Sequence, residues 1–328
     1  MPYQPESQTY RDAFRGRRAL VTGGAGFIGG HLAENLLRLG AEVHVLDDLS
    51  SGHRHRVPSG ARFFQGSVTD RGLVREAVAG CDVVFHEAAM VSVPQSVEQP
   101  GRCAEVNILG TEIVLEESVA AKVRRVLFAA SAAAYGGEPQ LPSREEHATD
   151  CRSPYAASKV AGETLLSAFA HCFPISTVSL RYFNVFGPAQ DPKSPYAAAI
   201  SAFTDILAAG RQPTVFGDGL QTRDFVFIHN IVHANLLAAA SERPLRGEVI
   251  NIGTGARITL LETIEQIAKA LGRTASPSFA PPRAGDVRHS SADIAKAKAM
   301  LGYAPVTAFP EGIEATVRWA MAQTAGAR

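Results

Sequence analysis

The segment RRALVTGGAGFIGG, residues 17–30, contains the pattern from which we predict the fold class. It opens as a short apolar run typical of a buried strand, crosses a glycine-rich turn and continues as an apolar helical pattern. Gly24, Gly26 and Gly29 fit the spacing G-x-G-x-x-G. Glycine there permits a tight turn and lets backbone N–H groups approach a pyrophosphate at the positive end of a helix. A glycine motif between a strand and a helix predicts a dinucleotide-binding turn.

Short apolar runs alternate with longer helical patterns outward from this segment. The strand-like runs are RRALVTG, AEVHVLDD, ARFFQG, CDVVFHEAA, VRRVLFAAS and ISTVSLRYFN, and the helical patterns include residues 28–39 and 97–121. Strands that alternate with helices indicate parallel βαβ units and a doubly wound α/β sheet. Because ligands of such sheets bind beyond the carboxyl ends of the strands, residues at those ends are the candidates for a site.

The sequence changes character after Asn184. Glycine and proline become frequent, in FGPAQDPKSPY, FGDGLQTRDF and APPRAGD, and the apolar runs shorten. A helical pattern over 229–240 followed by EVINIG indicates a return to the sheet layer. These changes predict a nucleotide-binding domain and a smaller, discontinuous α/β substrate domain over its open edge. The expected bounds are 17–184 with about 225–255 for the first, and 185–224 with 256–328 for the second.

Composition and charge narrow the class of protein. The chain has 328 residues, 46% hydrophobic and 20% charged, as in a globular protein, and its 32 basic residues balance 32 acidic ones. No net field therefore attracts nucleic acid or an anionic membrane. No stretch reaches the ~20 apolar residues needed to cross a bilayer. Residues 1–16 lack the apolar run of a secretory signal, which predicts a loosely held tail and a cytoplasmic protein.

The cysteines and histidines give no metal-binding pattern. The four cysteines lie far apart without C-x-x-C spacing, which predicts reduced thiols rather than a metal site or disulfides. His86, His229 and His233 have no Cys, Asp or Glu partner at metal-ligand spacing, so we expect structural roles for them.

Two acidic residues end the second strand-like run. Asp47 stands about 18 residues after Gly29, where a carboxylate accepts hydrogen bonds from ribose hydroxyls and repels a 2′-phosphate. This favours NAD over NADP as the cofactor. A capping or loop carboxylate is the alternative, and it suits Asp48 better than Asp47.

The stretch SPYAASK, residues 153–159, places a tyrosine and a lysine four positions apart in a predicted helix. Alone, Tyr155 and Lys159 fit an ordinary amphipathic helix better than a catalytic pair. The upstream nucleotide turn and Ser131, at the end of VRRVLFAAS, reverse that preference. A phenol pKa of about 10 is too high for a base near neutrality, and we expect the Lys159 ammonium and a positive nicotinamide ring to lower it. Ser131 can then hydrogen-bond the reacting hydroxyl.

Together with further motifs, these residues resemble the extended short-chain dehydrogenases/reductases, and among them the nucleotide-sugar C4-epimerases. The matching stretches are TGGAGFIGG, VLDDLSSG, FHEAAMVSVPQSVEQP, VNILGT, ASAAAYG, SPYAASK, RYFNVFGPAQDP, TRDFVFIHN, NIGTG and RAGDVRHSSADIAKAKAMLGYAP, in family order from about residue 17 to the C-terminus. The resemblance implies a Rossmann-type sheet, NAD as cofactor, a UDP-sugar as substrate and a homodimer formed through two paired helices of the first domain.

The resemblance also implies roles for the matching residues. Tyr155 is the base, Lys159 orients the NAD ribose and lowers the phenol pKa, and Ser131 completes the catalytic set. The implied cofactor contacts are Gly23, Gly26, Phe27, Ile28, Gly29, Asp47, Asp48, Ser67, Val68, Ala88, Asn107 (at a helix start), Tyr155 and Lys159. The implied substrate contacts are Ser92, Ser131, Tyr155, Asn184, Gln190, Ala198, Arg223, Arg283, Asp286 and Ser290.

Several of the implied substrate contacts suit a nucleoside diphosphate. Arg223 and Arg283 resemble the pair that clamps the UDP pyrophosphate, and forked guanidinium donors suit that anion. Asp286 resembles a ribose-binding carboxylate, and Asn184 resembles the asparagine that contacts the bound UDP-sugar. Surface salt bridging is the alternative for either arginine taken alone.

Departures from the family pattern bear on the reaction. Gly66-Ser67 stands where relatives often have Gly-Asp, so adenine recognition there relies on a hydroxyl or the backbone. Three alanines follow Ser131, where 4,6-dehydratases and uronate decarboxylases of this scaffold carry a carboxylate. C4 epimerisation through a 4-keto sugar needs no such acid and is the reaction we predict. A dehydratase, a decarboxylase and a non-catalytic NAD sensor are the alternatives.

The choice of sugar depends on a few side chains. Ser290 stands where glucose-restricted epimerases often carry a bulky tyrosine, so it leaves room for a 2-acetamido group as the ring turns. Ser92, Gln190 and Ala198 match the variant of the family that accepts N-acetylhexosamines. The sequence therefore predicts interconversion of UDP-GlcNAc and UDP-GalNAc, with UDP-Glc and UDP-Gal as further substrates. Arg288 keeps a UDP-uronic acid open as the alternative substrate.

Overall fold

The structure, a computed structural model, describes residues 4, 10–191, 199–282 and 287–326. The strands are β1 (Arg18–Thr22), β2 (Glu42–Asp47), β3 (Arg62–Gln65), β4 (Val83–His86), β5 (Arg125–Ser131), β6 (Ser176–Tyr182), β7 (Asn184–Phe186), β8 (Thr214–Phe216), β9 (Thr222–Arg223), β10 (Phe225–Phe227), β11 (Arg246–Ile252), β12 (Ile258–Thr259) and β13 (Ser278–Ala280). The α-helices are α1 (Phe27–Arg38), α2 (Arg71–Val78), α3 (Val93–Glu98), α4 (Pro100–Ala104), α5 (Gly110–Ala120), α6 (Pro154–Cys172), α7 (Ala199–Ala208), α8 (Ile228–Ala240), α9 (Leu260–Ala270), α10 (Ala295–Leu301) and α11 (Phe309–Gly326).

Seven strands form a parallel sheet in the order β11-β6-β5-β4-β1-β2-β3. Its central strands β1, β4 and β5 are buried at nearly every position, because apolar helix faces cover both sides of the sheet. All six strand-like runs of the first half are strands of this sheet. The predicted doubly wound, Rossmann-type α/β fold is therefore confirmed.

The strand order reverses between β1 and β4, which lie side by side although β2 and β3 separate them in the chain. In a doubly wound sheet, such a reversal opens a crevice at the carboxyl ends of the two strands. The glycine-rich turn leaves β1 at that edge, and Glu87 and Ala88 leave β4 there. Ser131 and Tyr182, which end β5 and β6, are paired in the register. The fold therefore gathers most candidate residues of the first half at one edge of the sheet.

The helical pattern over 97–121 corresponds to two helical segments rather than one. α3 ends before Gln99, which leaves helical geometry with φ −131° and ψ 61°, and Pro100 opens the next helix. Proline has no N–H to donate to a preceding turn, so a helix readily starts at it. From Pro100 the chain continues through α4, a π-helical segment (Glu105–Leu109) and α5. Asn107 consequently lies inside a helical run, and the expectation that it stands at a helix start is wrong.

Short strand pairs build much of the second half of the described chain. β7 pairs with β10 and β8 with β13 in parallel, and β9 pairs with β12 antiparallel. α8 and β11 return to the main layer, as the sequence pattern indicates. Asp224 is buried beside β10 and accepts backbone hydrogen bonds from Thr254 and Gly255 at 2.8 and 2.9 Å. This carboxylate, which lies between β9 and β10, ties the later loops to the strand that carries Arg223. The division into two domains stays a prediction.

The described part of the N-terminal segment packs on the sheet layer. Tyr10 and Phe14 are buried, and the Tyr10 hydroxyl lies 3.1 Å from Nδ1 of His233 on α8. The expectation of a loosely held tail is therefore wrong for residues 10–16. Within the described ranges, no helix combines the length and apolarity that crossing a bilayer requires.

Candidate active site

The glycine-rich turn after β1 forms a cradle that side chains would fill. Gly23 has φ +68°, a conformation that favours glycine, and a Cβ on it would lie 2.7 Å from the backbone nitrogen of Ala88. A Cβ on Gly29 would overlap the carbonyl oxygen of Gly23. Gly26, at the N-terminus of α1, brings no side chain to cap the first turn, whose backbone N–H groups suit an anion. These residues fit the pyrophosphate of a dinucleotide.

Asp47 holds this turn and the loop after β2 together. Its two carboxylate oxygens accept the N–H groups of Ala25 and Leu49 at 2.9 and 2.8 Å. Burial raises the pKa of this carboxyl, and the two N–H donors act in the opposite direction. Asp48 is exposed and accepts the N–H of Ser50 at 2.9 Å, as a loop carboxylate does. Asp47 borders the crevice, and its oxygens keep lone pairs with which to accept ribose hydroxyls.

Three further residues predicted on the cofactor side lie just beyond the carboxyl ends of β3 and β4. The Ser67 hydroxyl hydrogen-bonds with that of Thr69 at 2.8 Å. Val68 is buried and packs against α5. Ala88 donates its N–H to the Thr22 hydroxyl at 3.2 Å, which holds the end of β4 against β1. All three residues therefore lie at the carboxyl edge of the sheet, where their proposed contacts with the cofactor would be made.

Asn107 organises the loop after β4 from within the π-helical segment. Its Oδ1 accepts the Met90 N–H at 2.7 Å, and its Nδ2 donates to the Met90 carbonyl at 3.1 Å and to the Ser158 hydroxyl at 2.9 Å. Ser158 in turn donates to the Tyr155 carbonyl at 2.8 Å. The buried amide therefore links the loop beside the crevice to the first turn of α6.

Ser131, Tyr155 and Lys159 come together at the carboxyl end of β5. The Ser131 hydroxyl accepts the N–H of Ala133 at 3.2 Å, and it lies near enough to the Tyr155 phenol to lower the pKa of that group. Lys159 Nζ lies 5.8 Å from the centroid of the Tyr155 ring and donates to the Ala129 carbonyl at 2.7 Å. Only 3% of the Lys159 surface is exposed, which excludes the solvated lysine of an ordinary amphipathic helix.

Local sequence explains how Lys159 reaches β5. Ser153 caps α6 by accepting the Ala156 N–H at 3.1 Å, and a proline opens the first turn. Gly162 allows α6 to pack closely on the sheet, because a Cβ there would overlap the Phe128 ring. The Lys159 Nζ then lies 4.8 Å from the centroid of that ring.

Burial dominates the ionisation of both Tyr155 and Lys159. It raises the pKa of the Tyr155 phenol, while the hydrogen bond from Ser131 lowers it. Burial also lowers the pKa of Lys159 to about 8, although the Glu87 carboxylate acts in the opposite direction and raises it. The expected lowering of the phenol pKa is therefore not produced by Lys159 and Ser131 alone. It requires a further positive charge, which a nicotinamide ring in the crevice would provide.

Asn184, Arg223 and Ser290 lie together on the substrate side. Asn184 Nδ2 donates to the Ser290 hydroxyl at 3.4 Å, and the Ser290 N–H donates to the Thr222 carbonyl at 3.1 Å. The Arg223 guanidinium donates to the carbonyl of Arg288 at 3.4 Å. Three residues that are far apart in the sequence therefore meet where the short strands join the loop before α10.

The other predicted substrate contacts are only partly described. Ser92 is buried and caps α3 by accepting the Gln95 N–H at 3.0 Å, a role that the sequence prediction did not include. Gln190 Nε2 donates to the Val185 carbonyl at 3.1 Å, and its buried Oε1 has no hydrogen-bond partner among the described residues. Ala198, Arg283 and Asp286 lie outside the described residues.

A cavity of about 680 Å³ borders Arg288, whose carbonyl accepts the hydrogen bond from Arg223. It is lined by Phe216, Gly217, Asp218, Gln221, Phe279, Ala280, Pro282, Val287 and Arg288. Gln221 Nε2 donates to the Phe216 carbonyl at 2.7 Å, and Arg288 pairs with Asp218 at 2.9 Å. Aromatic rings with a few fixed polar groups are typical of a ligand pocket. The sequence prediction did not include Phe216 and Phe279. Each is an aromatic residue in a short run between glycine and proline turns, and this pattern could have indicated them.

Glu87 is a further residue that the sequence prediction did not single out. It directly follows β4, and its Oε1 accepts a hydrogen bond from the Tyr182 hydroxyl at 3.0 Å. Burial raises the pKa of its carboxyl to about 7. The signal that found Asp47, an acidic residue at the end of a buried strand, would have found Glu87 as well.

His86 has the structural role that the sequence indicates. It is buried, and its ring nitrogens lie 2.7 Å from the Thr22 hydroxyl and 2.9 Å from the Thr111 hydroxyl. Burial lowers its pKa to about 3, so the ring is neutral and joins β1, β4 and α5. In the described parts of the chain, no three His, Cys, Asp or Glu side chains are grouped to hold a metal ion.

Comparison with known proteins identifies the class to which this fold and site belong. Residues 19–253 match the model of the NAD dependent epimerase/dehydratase family. The UDP-glucose 4-epimerase of Mycolicibacterium smegmatis is 39% identical over 311 residues, which cover 92% of this chain and 98% of that protein. The chain therefore belongs to the NAD dependent epimerase/dehydratase family.

Solved structures extend the similarity to the whole fold. The UDP-glucose 4-epimerase from Thermotoga maritima, solved with UDP-glucose, has a TM-score of 0.89 and 37% identity, and the match covers 94% of this chain and 99% of that one. The UDP-N-acetylglucosamine 4-epimerase from Methanobrevibacter ruminantium M1, in complex with UDP-N-acetylmuramic acid, has a TM-score of 0.90 and 34% identity, covering 94% and 100%. The predictions of the family, of an enzyme and of NAD as its cofactor are confirmed.

Proposed function

We propose that the chain catalyses the NAD-dependent C4 epimerisation of a UDP-hexose. The observation that carries this proposal is the buried Lys159 beside the Tyr155 phenol, at the edge where the glycine cradle opens. Burying an ammonium group costs free energy, and such groups with shifted pKa values are concentrated where chemistry uses them. A protein that only sensed NAD would have no use for this pair.

Tyr155, Ser131 and Lys159 have separate roles in the proposed reaction. Tyr155 takes the proton of the sugar 4-hydroxyl, and Ser131 hydrogen-bonds the same oxygen. Lys159, fixed by the Ala129 carbonyl, keeps a positive charge beside the phenolate. Bound NAD supplies the acceptor, and later the donor, of the C4 hydride. The 4-keto sugar turns in the pocket, the hydride returns to its other face, and Tyr155 gives the proton back. Proton and hydride both end on the product, so the reaction needs no external oxidant.

Binding of the nucleotide is proposed for the second half of the chain. Arg223, together with Arg283 and Asp286 from the sequence motif, would hold the diphosphate and ribose. The cavity with Phe216 and Phe279 in its lining offers aromatic surface for a planar base.

UDP-GlcNAc and UDP-GalNAc are the preferred pair in this proposal, with UDP-Glc and UDP-Gal also accepted. Ser290 supports this choice, because its small side chain beside Asn184 leaves the space that a tyrosine would fill. The alternative of a UDP-uronic acid has less support, because the Arg288 guanidinium pairs with the Asp218 carboxylate at 2.9 Å.

A dehydratase or decarboxylase is the second candidate function. The family includes dehydratases, and Glu87 brings a carboxylate to the crevice although the segment after Ser131 contains none. Its support is weaker, because the Tyr182 hydroxyl already engages the Glu87 carboxylate.

Direct incubation with each nucleotide sugar tests the proposal. The protein is supplied with UDP-GlcNAc, UDP-Glc or UDP-glucuronic acid, and products are followed by the anomeric proton signals in NMR and by mass spectrometry. We expect UDP-GalNAc to appear at unchanged mass, with Tyr155→Phe as the inactive control. Loss of water or of carbon dioxide would identify the second candidate. No epimer from any of the three sugars would refute the proposed function.

We also propose a homodimer formed through two helices of the sheet domain. Val97 on α3 and Leu109, at the end of the π-helical segment, are exposed by 62% and 45% and offer apolar surface for such a contact. Analytical ultracentrifugation tests this proposal, and a monomer at micromolar concentration would contradict it.

A further inference from the structure

Glu87 occupies the floor of the crevice between β1 and β4. Its N–H donates to the Thr22 carbonyl at 3.2 Å, which extends the pairing of β1 with β4 by one residue past His86. The next residue, Ala88, is the one that meets Gly23 in the cradle. Because β5 separates β4 from β6, the Glu87 side chain must cross the end of β5 to reach Tyr182.

The hydrogen bonds around Tyr182 fix Glu87 as an acceptor. Asn235 Nδ2 donates to the Ile231 carbonyl at 2.9 Å, which sets the orientation of the amide, and it also donates to the Tyr182 hydroxyl at 2.7 Å. A phenol has one proton, so Tyr182 directs it to Glu87. The carboxylate form of Glu87 is therefore the one that the surrounding hydrogen bonds favour.

Lys159 is the cation that this carboxylate faces. Phe128 is the register partner of His86, so the next residue on β5, Ala129, lies beside Glu87. Lys159 donates to the Ala129 carbonyl and therefore lies close to Glu87. Burial lowers the pKa of Lys159, and Glu87 makes the largest contribution that raises it.

The other ionisable groups around Lys159 contribute less. Glu163, on the same helix, is bound at both oxygens by the Arg181 guanidinium at 2.7 Å. Cys103 on α4 also raises the pKa of Lys159, but by less than Glu87 does. His86 is neutral, since burial lowers its pKa to about 3. Glu87 is therefore the carboxylate best placed to act on the ammonium.

We propose that Glu87 is a positioning residue that keeps Lys159 protonated in the crevice, so that Lys159 can stabilise the Tyr155 phenolate. This inference rests on the proposed function, because it assigns Glu87 to the same site. Tyr182 and Asn235 hold the carboxylate in place, and Glu87 itself does not touch the reacting atoms.

The pH dependence of kcat/KM tests this assignment. Activity requires the charged form of Lys159, so it falls on the alkaline side as Lys159 loses its proton, with a pKa of about 8. Glu87→Gln removes the opposite charge and should move this alkaline limb down by about one pH unit. Glu87→Asp keeps a carboxylate and should restore most of the shift. Tyr182→Phe, which leaves Glu87 without its donor, should move the limb in the same direction by less.

A titration of the phenol gives a second reading that needs no turnover. The chain has seven tyrosines, so the signal of Tyr155 is the difference in near-ultraviolet absorbance between a protein and its Tyr155→Phe counterpart. The titration is done with NAD bound, because the positive nicotinamide ring is needed to bring the Tyr155 pKa into the range where Lys159 is still charged. In the Glu87→Gln background, the Tyr155 pKa should then rise, because Lys159 loses its proton at lower pH and stabilises the phenolate less. Glu76→Gln, at an exposed position on α2, is the matched control for loss of one negative charge.

The outcomes separate this inference from the proposed function. If Glu87→Gln changes neither the alkaline limb nor the Tyr155 pKa, the proposed role of Glu87 is overturned. Should Glu87→Gln fail to fold, Tyr182→Phe carries the same test, and no shift in either reading would overturn it. If the wild-type protein epimerises no UDP-sugar, the proposed function fails, while the phenol titration still reports whether Glu87 acts on Lys159.

Discussion

The crevice over the parallel sheet and the substrate side hold their polar groups in different ways. In the crevice, Asp47, Asn107 and Lys159 are buried, and each is fixed by hydrogen bonds of 2.7–2.9 Å. On the substrate side, Arg223 sits on a two-residue strand, and the Arg288 side chain is 67% exposed. The groups proposed for cofactor and chemistry are therefore built into the core, whereas those proposed for the sugar are supported by short strands and loops.

This difference indicates which property of the enzyme is easiest to change. A residue fixed by the core cannot be replaced without disturbing the sheet, whereas a partly exposed residue on a short strand can be replaced at small cost in stability. We therefore expect changes in the crevice to remove activity or cofactor binding, and changes at Ser290 to alter the choice of sugar.

Tyr155→Phe should lower kcat by about 10²–10⁴-fold, because it removes the group that transfers the proton. The measurement is the rate of epimer formation followed by NMR. Tyr10→Phe removes a phenol hydroxyl that lies 3.1 Å from His233 on α8, and should leave kcat near the wild-type value. Equal losses for the two variants would contradict a special role for Tyr155.

Ser290→Tyr should lower kcat/KM for UDP-GlcNAc by about 5- to 150-fold, because the bulky ring fills the space of the 2-acetamido group at a cost of about 1–3 kcal/mol. The rate with UDP-Glc should change less. Ser290→Ala is the control for the loss of the contact with Asn184, and should keep both substrates. Equal losses with both sugars for Ser290→Tyr would rule out selection at this position.

Asp47→Asn should weaken NAD binding by about tenfold, since an amide can accept only one of the two N–H groups and hydrogen bonds to a charged acceptor contribute about 1.5–3 kcal/mol each. Asp48→Asn is the matched control, because Asp48 is exposed and accepts only a loop N–H. Isothermal titration with NAD measures both. A larger loss for Asp48→Asn would reverse the assignment of the two carboxylates.

Lys159→Met should raise the free energy of unfolding of the NAD-free protein near neutral pH by about 1 kcal/mol. Burial lowers the pKa of Lys159 in the folded protein to about 8 from 10.5, so the unfolded chain binds the proton more tightly. The cost of burying the ammonium is therefore complete below pH 8 and disappears as the pH rises toward 10.5. The gain in the variant should shrink over that window.

Urea unfolding on both sides of this window measures the effect. Lys269→Met, at an exposed position near the end of α9, is the control and should change stability little at either pH. A Lys159→Met variant less stable than the wild type at both pH values would contradict the account of the buried ammonium.

The sequence predicts the crevice well because its signals are local. A strand, a glycine turn and a helix follow one another within 17–30, and Tyr155 and Lys159 are one helical turn apart. The burial of Lys159 could not be predicted, because it depends on how closely Gly162 lets α6 approach Phe128. The position of Asn107 within its helix was also missed, because that helix begins earlier, at Pro100.

The substrate side is harder to predict because its contacts are distant in the chain. The meeting of Asn184 with Ser290 joins residues 106 positions apart, across strands of two or three residues. Propensity says little about such short strands, since tertiary contacts decide whether they form. The buried N-terminal Tyr10 was missed for a related reason, because its partner His233 lies on a helix of the second half. Glu87 had a local signal, and only the network that holds it is tertiary.

The central claim is that Tyr155, Lys159 and the NAD crevice oxidise and reduce the same sugar carbon. Epimerisation of UDP-GlcNAc in deuterium oxide, with the product examined by proton NMR and mass spectrometry, tests it most directly. We predict UDP-GalNAc that retains the original hydrogen at C4, because the hydride never exchanges with solvent. Deuterium at C4 or C5 of the product, or no UDP-GalNAc and no UDP-Gal from the matching glucose substrates, would contradict it.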